Sequence, residues 1–165
     1  MMRRLVPFAC TLALVACGPA PKASQVKAAP PFDLPSLDGG RTTLDGLKGK
    51  VVVVDFWATW CGPCIKEIPE YAEFYRKNQP RGIEVLGIVM DSGSAQEINE
   101  FVREYQIPYR QLVGDDRTGE AWGVNQGYPT TFVIDAKGVI RSKVLGSPPN
   151  KFEKLQETVD AALAS

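Results

Sequence analysis

Val51-Val52-Val53-Val54-Asp55-Phe56-Trp57 constrains this chain more than any other stretch. An apolar, β-branched run without polar alternation fits a strand buried on both faces of a sheet. Three residues on stands Trp60-Cys61-Gly62-Pro63-Cys64. Pro63 suits a first helical turn, where its missing N–H is not needed. The pattern behind it predicts a helix over about 62–77, interrupted by Pro69. A buried strand therefore delivers two cysteines to the mouth of a helix.

The rest of the chain supplies a sheet around that strand. Phe32-Asp33-Leu34 and Arg41-Thr42-Thr43 flank an Asp38-Gly39-Gly40 turn and predict a short hairpin. Residues 44–47 read as a single helical turn. Residues 83–90 form a second buried strand. Ser94 or a neighbour caps a helix running to about Tyr105, with Ile98, Phe101, Val102 and Tyr105 spaced three and four apart. A short helix is expected around 118–122. Residues 130–134 and 139–145 read as an antiparallel pair across the turn Asp135-Ala136-Lys137-Gly138, and a last helix covers about 150–163. Strand–helix–strand early and hairpin–helix late predicts an α/β fold: a mixed central sheet with helices on both faces, preceded by an N-terminal hairpin.

The first 16 residues read as a signal peptide. Arg3 and Arg4 precede an apolar run of 12 residues, Leu5 to Ala16. That is well short of the roughly 20 a spanning helix needs. The run ends in Leu14-Val15-Ala16-Cys17, which resembles the lipobox of bacterial lipoproteins. There the cysteine receives a diacylglycerol and becomes the new N-terminus. The alternative is ordinary cleavage nearby, leaving an unanchored protein. Acylation with several chains anchors stably, whereas one chain is marginal. Residues 17–30, beginning at the lipidated Cys17, are small and Pro-rich and read as a flexible tether. Residues 31–165 form one domain, long enough for a proper core. Of the four cysteines, Cys10 leaves with the signal peptide and Cys17 carries lipid. Cys61 and Cys64 remain as thiols.

Composition narrows the chemistry. Lys+Arg and Asp+Glu both number 19, so no basic excess invites nucleic acid. With no histidine, the usual base of Ser and Cys hydrolases and the commonest metal ligand are missing. A Cys-x-x-Cys pair is often half of a zinc site, but zinc wants three or four ligands. No further Cys or His is available to complete one, so no metal is expected. A static disulfide over so short a loop contributes little. Redox exchange is the better use of the pair, and it needs no cofactor. Thiolate is the reactive form, and the unpaired N–H groups and positive end of a helix favour it. Cys61, at the helix mouth, is therefore the expected nucleophile. Cys64, one turn along, is placed to resolve a mixed disulfide on Cys61. Gly62 and Pro63 leave room for a partner chain.

Asp55 to Cys64, Asp-Phe-Trp-Ala-Thr-Trp-Cys-Gly-Pro-Cys, resembles the active-site segment of thioredoxins. Pro69 falls at that family's helix proline. Tyr128-Pro129-Thr130 resembles its cis-proline loop. The longer context is similar to the extracytoplasmic ResA/TlpA subfamily: Phe32-Asp33-Leu34-Pro35 with Leu37-Asp38-Gly39, Glu67 three beyond the second cysteine, and Gly127 to Gly138. The resemblance covers about 31–165. It implies a thioredoxin fold, a cis bond at Pro129, and a Tyr128 backbone open to pair with an extended substrate strand. It also implies that Asp55 takes the proton of Cys64 and that Glu67, read as nearer the surface, tunes the thiols or meets the partner. Some subfamily members carry Asn where Asp55 stands, so this chain holds both acids. Trp57 is expected in the core and Trp60 on the rim, as an apolar docking surface.

The leading reading is a membrane-tethered reductase of protein disulfides outside the cytoplasm, on the periplasmic face, with a monomer expected. Cys-Gly-Pro-Cys is the thioredoxin motif, and thioredoxin is strongly reducing at about −270 mV against about −120 mV for DsbA. Its compartment is oxidising, so a membrane thiol-electron donor of the DsbD or CcdA kind is implied. Apocytochrome c or copper-site assembly proteins are the implied clients. A thiol peroxidase of the peroxiredoxin type would want Pro and Thr or Ser seven and three residues before its cysteine, where Val54 and Ala58 stand. A non-enzymatic copper-site assembly factor would want histidine.

Overall fold

A computed structural model describes residues 27–165. Cys10, Cys17 and the signal peptide lie outside the described residues. The elements run β1 (Asp33–Pro35), β2 (Arg41–Thr43), a 3₁₀ turn at 45–47, β3 (Val52–Trp57), α1 (Gly62–Asn78), a second 3₁₀ turn at 79–81, β4 (Glu84–Val89), α2 (Ala95–Glu104), β5 (Arg110–Val113), α3 (Asp116–Trp122), β6 (Thr130–Ile134), β7 (Ile140–Leu145) and α4 (Lys151–Leu163). The central sheet has the order β5-β4-β3-β6-β7. β3, β4 and β5 are parallel, while β6 and β7 run antiparallel to their neighbours. β1 and β2 pair antiparallel as a separate hairpin. This is the mixed α/β thioredoxin-like fold expected.

Strand alternation sorts the core into two layers. Val53 and Trp57 of β3 pack with Ile68, Tyr71 and Phe74 of α1, Ile98 of α2, and Leu155 and Val159 of α4. Val52, Val54 and Phe56 face the other way, onto Phe32, Leu34 and Leu47, Trp122 of α3, and Phe132. Every residue of β3 is buried, as its sequence demands. Trp122 meets Phe32, Phe56 and Phe132 with centroids at 6.2, 5.4 and 5.0 Å. These tilted and edge contacts contribute beyond plain area burial.

Three features differ from the sequence expectation. α1 runs unbroken through Pro69. Pro69 sits on the exposed side, so solvent can take the carbonyl its missing N–H leaves free. β5 was not expected from the sequence. Residues 27–29, expected in the tether, lie against the sheet: Ala28 bridges Val139, Ala29 donates to Gly138 and Ile140 donates to Lys27. α2 opens with the anticipated Ser94 cap, completed as a reciprocal box with Glu97.

Candidate active site

Cys61 is the N-cap of α1, and its Sγ accepts the Cys64 backbone N–H at 3.3 Å. The two sulfurs are bonded, with Cα atoms 5.3 Å apart. No acidic side chain occupies the first turn, so no first-turn carboxylate offsets the positive helix end at the sulfurs. Both cysteines are buried in the core layer of α1. Around them the rim is open: Trp60 is 63% exposed, Gly62 and Pro63 are exposed, and a Cβ on Gly62 would meet nothing.

The Tyr128–Pro129 bond is cis. Tyr128 and Trp60 meet edge to face at 6.0 Å, and Asp91 holds both. Its carbonyl accepts the Trp60 indole N–H at 2.8 Å, and its carboxylate accepts the Tyr128 hydroxyl at 3.1 Å. Burial and the Asp91 carboxylate push the Tyr128 hydroxyl up to about 12. Among the described residues, no backbone partner reaches the Tyr128 N–H or C=O. Trp57 is core, as expected, and its indole N–H donates to Gln111 Oε1 at 3.0 Å.

Asp55 is 3% exposed and shares its sheet face with α1. Its Oδ1 receives the Thr131 hydroxyl at 2.8 Å and the Tyr71 hydroxyl at 2.9 Å. The two hydroxyls are themselves 2.6 Å apart. Among the described residues, no protein donor reaches Oδ2. Burial pushes the Asp55 carboxyl up from 3.8 to about 6, opposed by the nearby Lys151 charge and the two hydroxyl bonds.

Glu67 is not near the surface. It is 7% exposed, and its Oε2 accepts from the Lys151 ammonium at 2.6 Å. Helical spacing turns it inward beside Ile68 and Tyr71, away from its neighbour Lys66. The sequence reading missed Lys151, Tyr71, Thr131 and Asp91. Tyr71 carried a signal, one turn beyond Glu67 on the same face. Lys151 carried none, since it looks like any lysine at a helix start.

A model of the AhpC/TSA family matches residues 26–143. The chain belongs to that family. It is 35% identical over 121 residues to the thiol-disulfide oxidoreductase ResA of Bacillus cereus, covering 73% of this chain and 69% of that protein. It is 33% identical to the thioredoxin-like protein YneN of Bacillus subtilis, covering 74% and 72%. Among solved structures, a thiol:disulfide interchange protein of the thioredoxin family from Chlorobium tepidum superposes with a TM-score of 0.74 at 28% identity, covering 86% and 99%. With its Cys61–Cys64 disulfide, this member of the AhpC/TSA family is a thiol–disulfide oxidoreductase of the ResA type.

Proposed function

We propose that the protein reduces disulfides in protein clients outside the cytoplasm, held to a membrane through lipid on Cys17. The observation that carries this is the Cys61–Cys64 disulfide at a helix N-terminus without a first-turn carboxylate, ringed by exposed Trp60, Gly62 and Pro63 and by a Tyr128 backbone that is unpaired among the described residues. An extended client strand pairs with Tyr128 beside Pro129 and rests on Trp60. The Cys61 thiolate attacks one client sulfur, forming a mixed disulfide and expelling the other as thiolate. Cys64 then gives its proton to Asp55 and attacks Cys61. That step forms the Cys61–Cys64 bond and releases the client as a dithiol. Glu67 acts from below, through charge. A membrane donor of the DsbD or CcdA type returns two electrons, and the clients are proteins such as apocytochrome c or copper-site assembly factors. Among the described residues no helix is long and apolar enough to cross a membrane; the anchor on Cys17 rests on the Leu14-Val15-Ala16-Cys17 pattern alone.

The test is client reduction. The protein should reduce insulin in the presence of dithiothreitol without consuming hydroperoxide. Cys61→Ser should abolish turnover, and Cys64→Ser should accumulate the mixed disulfide on Cys61. Normal turnover in Cys61→Ser overturns the mechanism. Expressed in bacteria, the wild-type chain should partition into detergent with a mass above that of the polypeptide. Recovery as an unmodified soluble protein overturns the anchor.

A further inference from the structure

Among the buried groups of the α1 layer sits a cation that thiol exchange alone does not require. Lys151 opens α4 and is 1% exposed. Its ammonium meets Glu67 at 2.6 Å and stands 5.1 Å from the Tyr71 ring and 5.9 Å from the Phe152 ring. Local structure does not ask for lysine here. A cation in the first turn opposes the helix dipole. Nor does stability ask for it, because a buried ion pair is often no better than apolar side chains filling the same volume. The pair is nonetheless tied to Asp55: Tyr71 lays its ring against Lys151 and donates its hydroxyl to Asp55 Oδ1 at 2.9 Å.

The groups facing Asp55 come from five elements. α1 brings Glu67 and Tyr71, α4 brings Lys151, and β6 brings Thr131. The segment before β5 brings Tyr109, and β3 carries Asp55 itself. Burial and the Asp55 charge hold the Tyr71 and Tyr109 hydroxyls neutral, far above the working range. The charge count is thus two carboxylates against one ammonium.

We propose that Lys151 is a positioning residue for the proton-transfer step: locked on Glu67, it compensates that second carboxylate and leaves Asp55 as the one buried acid free to exchange a proton with Cys64. The inference rests on Asp55 as the acceptor. Its consequence is directional. Removing the cation makes Asp55 hold its proton to higher pH. Removing the Glu67 charge frees the cation to act on Asp55 and makes it release its proton at lower pH. Removing both places it between the two.

The experiment follows the Asp55 carboxyl by carbon NMR in the oxidised full chain, labelled at aspartate, from pH 4 to 9. Lys151→Met should raise its midpoint by about one unit or more and Glu67→Gln should lower it, as expected for neighbouring buried charges of opposite and like sign. The double variant should fall between, and Lys151→Arg should stay near wild type. Should Lys151→Met alone fail to fold, Glu67→Gln and the double variant decide by the same ordering. Midpoints that do not move, or single variants that move the same way, overturn the inference and leave the reading of Asp55 untouched. The same variants are assayed for resolution of a mixed disulfide across that pH range. A rate profile that follows the Asp55 midpoint supports the inference. A profile that ignores a shifted midpoint overturns the role of Asp55 and, with it, that of Lys151.

Discussion

Replacing Asp55 with asparagine turns the buried carboxyl into a measurable dependence of stability on pH. Asp55 moves from 3.8 to about 6 on folding, chiefly by burial. At 1.36 kcal/mol per unit, the ionised side chain costs the folded state about 3 kcal/mol relative to the protonated one. Because the folded value is the raised one, the native state favours the protonated form. Its contribution is complete below pH 3.8 and is lost as pH climbs to about 6 and beyond. Asparagine removes that loss. Its Oδ1 can still accept from Tyr71 and Thr131, while its amide needs an acceptor where Oδ2 has no protein partner among the described residues. An unsatisfied amide costs about 1–3 kcal/mol, but that cost does not vary with pH. The variant's stability relative to wild type should therefore rise by about 2–3 kcal/mol between pH 4 and pH 8, whatever the offset. Urea unfolding of both oxidised proteins at four or five pH values measures it, with equal slopes confirming that the unfolded states match. A difference that stays flat within about 0.5 kcal/mol, or one that falls with pH, refutes the reasoning.

The same Asp55→Asn change should slow resolution of the mixed disulfide by about 10²–10⁴-fold while leaving the first attack by Cys61 nearly intact; stopped-flow of each half-reaction separates them, and a wild-type resolution rate across pH 6–9 makes Asp55 structural only. Gly87→Ala should cost about 1–3 kcal/mol, because its Cβ would lie 2.0 Å from Gln111 Oε1 and push that amide off the Trp57 indole N–H; chemical denaturation and tryptophan emission report it. Trp60→Ala should change stability by less than about 0.5 kcal/mol, since Trp60 is 63% exposed, yet raise KM for protein clients more than for small disulfides. Equal effects on both client classes would remove Trp60 from client docking.

What the sequence made legible was local. The apolar run over 51–57 predicts a doubly covered strand, and its period places Asp55 on the face of α1. Gly-Pro between two cysteines marks the helix start. The hairpin turns at 38–40 and 135–138 carry their own residues. The misses are non-local. Arg110-Gln111-Leu112-Val113 offers two apolar residues in four, and becomes a strand because β4 presents an open parallel edge to Leu86–Val89 partners. Glu67 reads as nearer the surface, and only Lys151, 84 positions away, makes its burial tolerable. Lys27 to Ala29 read as tether because three backbone contacts to 138–140 leave no trace in side-chain type.

Across the sheet under α1, Thr131, Asp55, Gly87 and Gln111 stand side by side in register. They form a polar row through an otherwise apolar layer. At one end Gln111 folds over the space above Gly87, accepts from Trp57 and donates to the Tyr109 carbonyl at 3.1 Å. At the other end Thr131 and Tyr71 converge on a single oxygen of Asp55. Two hydroxyls have two protons to give, so Oδ1 takes at most two bonds. A carboxylate receiving three donors is held ionised well below neutrality and makes a poor base. With Oδ2 lacking a protein donor among the described residues, burial outweighs the bonds and the Asp55 carboxyl is raised to about 6, which suits the proton transfer proposed for it. Depth sets its basicity first, and the two hydroxyl bonds only partly offset it. At the far end of the row, Gly87 leaves the space in which Gln111 satisfies the buried Trp57 indole.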